Sequence, residues 1–178
     1  MQTYDYRNCQ SLFGYGRSVH LRCEYVCQLC GCDATNNFDL FKQFSVEHLI
    51  GDSQGGYLRD VRLTVAERFP TLSAGEQERI AAAIDEANTV TACHFCNSTT
   101  SRNRNEKILK QLLTEADGTP DEVVAAIVAA LAAILARKQS EVRIKDQAVR
   151  KALEAEIVPT MLSKQKRPAI AAGRCSGE

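Results

Sequence analysis

Cys93-His94-Phe95-Cys96-Asn97 decides how this chain is to be read. Two thiols at Cys-x2-Cys spacing form a metal knuckle, and an amide follows the second thiol directly. A matching knuckle lies upstream at Cys27-Gln28-Leu29-Cys30-Gly31, where Gly31 can take a positive φ and let backbone N–H groups approach sulfur. Sixty-two residues separate the two pairs, so an ion shared between them would staple distant segments. Cys27, Cys30, Cys93 and Cys96 supply four sulfurs for a tetrahedral Zn²⁺. A closed four-thiolate site leaves no position for water, so the expected ion is structural. Cys23 and Cys32 lie close by and could compete as ligands, but neither has a partner at knuckle spacing. They are read as small core or surface residues, and Cys9 and Cys175 as unrelated free thiols.

Between the knuckles stand Glu47-His48-Leu49-Ile50, a Gly-rich loop from Gly51 to Gly56, and Asn88, which lies nine residues before Asn97. An imidazole that titrates near neutrality can take a proton from water. Carboxylate and amide oxygens suit a hard divalent ion, Mg²⁺ or Mn²⁺, that keeps most of its waters. Adjacent residues of a regular strand face opposite sides, so Glu47 and His48 serve one site only if the strand bends, bulges or ends there. Asn88 also fits a C-cap of the helix before it, and Asn97 an N-cap of the helix after the knuckle. His20 and His94 hold no motif position and are read as surface or packing residues.

The 178 residues suit one domain with an appendage, or one elaborated domain, and 44% hydrophobic content supports a real core. Twenty-two basic residues balance 22 acidic ones, so global charge carries no nucleic-acid signal and only local clusters can. The N-terminus has no apolar signal core. The longest nearly uncharged apolar run, Val123 to Ala136, has 14 residues, whereas a membrane span needs about 20. Eight cysteines could suggest disulfides, but two Cys-x2-Cys pairs without a signal peptide favour zinc in a reducing compartment, so a cytoplasmic protein without membrane contact is expected.

Residues 1–22 read as an irregular or helical arm. Phe38, Leu40, Phe44 and Val46 partly alternate, which predicts one or two strands ending near His48. A helix is expected over 59–69, stopped by Pro70. A capping box at Ser73-Ala-Gly-Glu76 opens another to about Ala87, followed by a short strand at 89–92 and a helix over about 98–113. A second capping box, Thr119 to Glu122, opens an Ala-rich helix to about Arg137. A further helix over 139–158 is stopped by Pro159. The domain plan is thus a core at 1–118 with an insertion at about 57–87, a helical extension at 119–158, and a flexible tail at 159–178.

The ordered set Cys-x2-Cys-Gly, Glu-His-Leu-Ile with a following Gly-Gly, Asn, and Cys-x2-Cys-Asn resembles the HNH, or ββα-metal, endonucleases. The likeness covers about residues 22–105 without the insertion. It implies an α+β fold with a zinc-stapled ββα core that cuts DNA and leaves 5′-phosphate and 3′-hydroxyl ends. His48 resembles the general base and Glu47 the acidic metal ligand, although Asp is commoner there. Asn97 resembles the ligand that opens the helix, and Asn88 the residue that pins the loop and helps orient the base. One turn after Asn97, where the family sometimes has a further ligand, stands Ser101. Arg102, Arg104 and Lys107, with Lys110, form a basic run next to the site, read as contacts to backbone phosphates, with Arg17 and Arg22 as additions. Restriction, phage defence or a mobile element is the implied setting. The apolar face of the Ala-rich helix is expected to pack on its neighbours, with a homodimer through the C-terminal helices as the second expectation. The rival reading is a non-catalytic, zinc-dependent nucleic-acid-binding module.

Overall fold

The computed structural model describes residues 16–100 and 107–165. Most of the N-terminal arm, Cys9, Ser101, Arg102, Arg104, Cys175 and residues 166–178 of the expected tail lie outside them. The chain divides into two compact units, 1–142 and 143–178.

The first unit is built around a two-stranded antiparallel sheet. Strand β1 (Phe44–His48) pairs with β2 (Thr89–Cys93) so that Phe44 faces Cys93 and His48 faces Thr89. Alternation puts Ser45, Glu47, Val90 and Ala92 on one face and Val46, His48, Thr89 and Thr91 on the other. Every β2 residue is buried, as expected of a strand covered on both sides. Helix α1 (Gly16–Arg22) covers the Val46–Thr91 face, and its buried His20 meets Thr91 Oγ1 through Nδ1 at 2.8 Å. Burial holds the His20 pKa below its ordinary value, because the charged ring would lose its hydration. The unfolded chain therefore binds the extra proton more readily. The stability from neutral His20 is present above about pH 6.5 and is lost as pH falls below it. His20→Asn, which keeps a polar atom near Nδ1 but does not titrate, is expected to flatten the fall in melting temperature between about pH 6.5 and 5.

Phe38–Phe41 is not a strand but a one-turn helix, α2, whose N-cap Asn37 accepts a bond from Leu40 N at 3.0 Å. The apolar alternation that predicted a strand there belongs to a turn leading into β1. Helices α3 (Leu58–Arg68) and α4 (Ala74–Asn88) fill the expected insertion and pack on each other. The Ser73–Glu76 capping box is formed, with both reciprocal bonds present. Helix α5 (His94–Thr99) starts directly after β2, earlier than expected, and α6 (Leu109–Glu115) is separate from it. The hydroxyls of Ser98, Thr99 and Thr100 each bond the carbonyl four residues back, which weakens the helix there, and Thr100 turns extended.

Helix α7 (Pro120–Ala152) replaces the two helices expected over 120–158; no Gly or Pro follows Pro120 within it to break it. Its stripe of Val123, Ile127, Leu131 and Ile134 is buried with Val61, Val65, Ile80, Ile84 and Leu113. Each such side chain contributes about 1.5–3 kcal/mol by leaving water. This stripe draws the segment expected as an extension after residue 118 into the core unit. By length and composition alone, Pro120–Leu162 could cross a membrane.

In the second unit a widened π-type turn at Leu153–Ile157 leads into α8 (Val158–Gln165). Pro159 thus sits inside a helix rather than ending one, and the tail expected to be flexible from 159 is helical to Gln165. A proline lacks the N–H and crowds the carbonyl four residues back, and a wider turn ahead of it relieves both.

Candidate functional site: a sulfur cluster beside a polar cavity

The first knuckle is a tight turn closed by Gly31 N to Cys27 O at 2.8 Å and Cys27 N to Cys32 O at 2.9 Å, with Gly31 at φ 78°. Gln28 N donates to Thr91 O at 2.8 Å and fastens the turn to β2. The second knuckle spans the β2–α5 junction, where Cys93 is the N-cap residue of α5. Asn97 therefore lies inside α5 and is not its N-cap.

The sulfurs of Cys27, Cys30, Cys32 and Cys93 all lie within 4.8 Å of one another, and Cys30 Sγ is 3.9 Å from Cys93 Sγ. A tetrahedral zinc with 2.3 Å bonds holds its sulfurs about 3.8 Å apart, so the donor set fits that ion. Cys96 is fully buried, and its thiol hydrogen-bonds the Cys27 sulfur. The group of four mutually close sulfurs thus differs from the predicted quartet by one member, with Cys32 in the place expected for Cys96. Cys32, expected to stand outside the site, joins it. The Cys27 thiol is pushed well below its usual range by its bond from Cys96 and by the N–H groups of Cys93, Cys30 and Leu29. Cys96 is pushed up by that shared bond and then by burial, and Cys30 and Cys32 are pushed up chiefly by burial. One negative sulfur suppresses the ionisation of the others; a bound dication would remove that penalty, so these four sulfurs could hold a structural metal such as zinc.

Beside the cluster lies a cavity of about 190 Å³ lined by Val46, Glu47, His48, Tyr57, Asn97 and Thr100. Glu47 and His48 both reach it because β1 ends at His48. The His48 ring packs on Tyr57, with centroids 4.4 Å apart and planes 33° apart. Asn97 Nδ2 donates to Ser45 Oγ at 2.8 Å, which leaves Oδ1 as the acceptor of that amide. Glu47 and Asn97 are oxygen donors on one cavity, and at about 30 Å³ per water the volume admits a hydrated divalent ion.

Asn88, at the end of α4, is 2% exposed. Its Oδ1 accepts from Ile50 N at 2.8 Å, while its Nδ2 donates to Ile50 O at 3.0 Å and Gly56 O at 2.8 Å. Its backbone carbonyl accepts from Leu49 N at 2.9 Å. The side chain clamps the loop that follows Glu47-His48. Gly55 in that loop has φ 72°, and a Cβ on Gly56 would lie 1.7 Å from Ile50 O. The Gly-Gly pair thus meets two different demands, a left-handed turn and a close backbone approach.

Glu47 is buried, and its carboxylate pairs with the ammonium of Lys138 on α7. Nothing in the sequence reading singled out this lysine. Removing one partner of a buried pair costs about 3–5 kcal/mol, because the other charge stays behind in low dielectric.

Of the basic run, Lys107 and Lys110 lie among the described residues. Lys107 pairs with Glu115, and Lys110 with Glu67 at 2.7 Å. Both pairs are exposed, and such pairs contribute about 0–1 kcal/mol, so both lysines can be released. Arg22 donates to the carbonyls of Glu86 and Thr89 at 2.9 and 2.7 Å and caps the end of α4. No family model, no curated protein and no solved structure matches this chain.

Proposed function

We propose that the chain is a metal-dependent DNA endonuclease of the HNH type that hydrolyses phosphodiester bonds. The observation that carries this reading is the cavity itself. Glu47 and His48 at the end of β1 and Asn97 on the helix after β2 share one small polar space, and the side chain of Asn88 braces the loop behind it. The succession β1, β2, α5 next to a cysteine cluster supports the ββα-metal likeness. A divalent ion held by Glu47 and Asn97 would compensate charge on the scissile phosphate and the leaving oxygen. His48 takes the proton from the attacking water, and packing on Tyr57 limits the ring's orientations. Lys107, with Arg102 and Arg104, contacts the DNA backbone. A role in restriction, phage defence or a mobile element belongs to the same proposal.

One observation favours a second reading. The pairing of Glu47 with Lys138 occupies the acid that would bind the metal, as a non-catalytic zinc-dependent nucleic-acid-binding module would permit. Nicking of supercoiled plasmid with Mg²⁺ or Mn²⁺ separates the two. Zinc-loaded wild-type protein is expected to nick, and folded, zinc-loaded His48→Ala to lose at least about a hundredfold of the rate. Activity that survives the substitution would remove His48 as the base. Binding of the plasmid without cleavage by either protein would establish the module instead.

A further inference from the structure

Lys138 is 1% exposed, yet it carries a charge-bearing group into the interior. Its place is set by the helix: Val123, Ile127, Leu131, Ile134, Lys138 and Val142 form the buried stripe of α7, with Lys138 at an otherwise apolar position. Gln139 Nε2 donates to Gln28 O at 2.8 Å, and Val142 packs with Cys27, Ala92 and Cys93, so this stretch of α7 is fastened beside the sulfur cluster. The ammonium meets Glu47, which is 9% exposed and lines the cavity. Lys138 itself does not line it. A cation thus stands behind Glu47, the one carboxylate of the cavity wall among the described residues.

We propose that Lys138 is a positioning residue and internal counter-cation that competes with the divalent ion for Glu47, so that metal binding at this centre requires the Lys138–Glu47 pair to loosen. This rests on the reading of Glu47 and Asn97 as a metal centre. In the metal-free state the Lys138 ammonium is the counter-charge of the buried Glu47 carboxylate and holds its orientation. An incoming dication must take over that compensation, and the free energy of breaking the pair is subtracted from its affinity. The centre is then pre-formed but weakly binding, and it loads only when metal is plentiful or when phosphate oxygens add their own ligation.

The test is Mn²⁺ binding, followed by the electron paramagnetic resonance of free Mn²⁺ with the sulfur cluster filled by Zn²⁺. Lys138→Met is expected to bind Mn²⁺ at least about tenfold more tightly than wild type, and Glu47→Gln to abolish binding in both backgrounds. Lys138→Met can fail to fold without metal, so the second measurement uses wild type: the side-chain ¹⁵N resonance of Lys138 is expected to move as Mg²⁺ saturates the protein. A resonance that stays fixed at saturation, or unchanged or weaker Mn²⁺ affinity in folded Lys138→Met, overturns the competition. If Glu47→Gln still abolishes binding, the metal centre stands without it. If neither wild type nor folded Lys138→Met binds Mn²⁺, the metal centre fails and the proposal falls with it.

Discussion

Adding Zn²⁺ to metal-stripped protein is expected to raise its melting temperature by roughly 8–16 °C. A thousandfold excess over the dissociation constant stabilises by about 4 kcal/mol, and a chain of this size gains about 2–4 °C per kcal/mol. The effect should be large because the cluster holds together two segments that sequence separates widely. The Cys27 turn is tied to β2 through Gln28 and Thr91, and Cys93 stands at the junction of β2 and α5. Cys93→Ser is expected to remove the response, since Cys93 belongs both to the quartet the sequence predicted and to the quartet of mutually close sulfurs. Cys32→Ser and Cys96→Ser then identify the fourth ligand. In Co²⁺-substituted protein, the variant that loses sulfur-to-metal charge-transfer intensity has lost a bond to the ion. Zinc affinity should also fall with pH, because protons compete for the thiolates. A melting temperature unmoved by Zn²⁺ would remove the structural metal from this account.

Asn88→Ala is expected to cost about 3–5 kcal/mol and to abolish nicking. The substitution strands three groups at once: the N–H and carbonyl of Ile50 and the carbonyl of Gly56. Each buried group left without a partner costs about 1–3 kcal/mol. Asn88→Asp should do no better. It keeps an acceptor for Ile50 N but places a carboxylate against two carbonyl oxygens that need donors. Chemical denaturation of the zinc-loaded proteins checks the stability, and plasmid nicking of whatever remains folded checks the activity. A loss under about 1 kcal/mol would mean that water replaces the amide and that the clamp is not what shapes the loop.

Much of this architecture was legible because it is local. The capping box at Ser73, the two helices of the insertion and the second strand follow from residues a few positions apart. The expectation that Glu47, His48 and Asn97 share a site came from the resemblance and not from a local pattern, and the three line one cavity where β1 ends at His48. Other features depend on partners far away in sequence. Tyr57 meets His48 after a tight loop, Ser45 meets Asn97 across 52 residues, and Lys138 meets Glu47 across 91. No window of periodicity holds such pairs. Lys138 did leave a trace, since a lysine four residues after Ile134 and four before Val142 falls on the apolar stripe. That trace vanishes when the helix is split at residue 138, as the sequence reading split it. Cys32 was passed over because it lacks a partner at knuckle spacing, whereas the turn that closes on its own carbonyl brings its sulfur in.

The clamp at Asn88 has a consequence for how this chain can vary. Residues 57–87 leave the sheet and its loop at Gly56 and return at Asn88, and the Asn88 amide is bonded to the Gly56 carbonyl at 2.8 Å. Thr89, the residue after Asn88, is paired across the ladder with His48, which lies eight residues before Gly56. The two ends of the excursion are therefore buttoned together independently of what lies between them. Doubling the length of such a loop costs only about 0.6 kcal/mol of closure entropy. Extra residues at the turn between α3 and α4, residues 69–73, could therefore be taken up while the strands, the sulfurs and the cavity keep their places, whereas Tyr57 on the cavity and the buried Val61, Val65, Ile80 and Ile84 must stay. The turn between α3 and α4 is thus where the chain can vary in length at least cost to the fold.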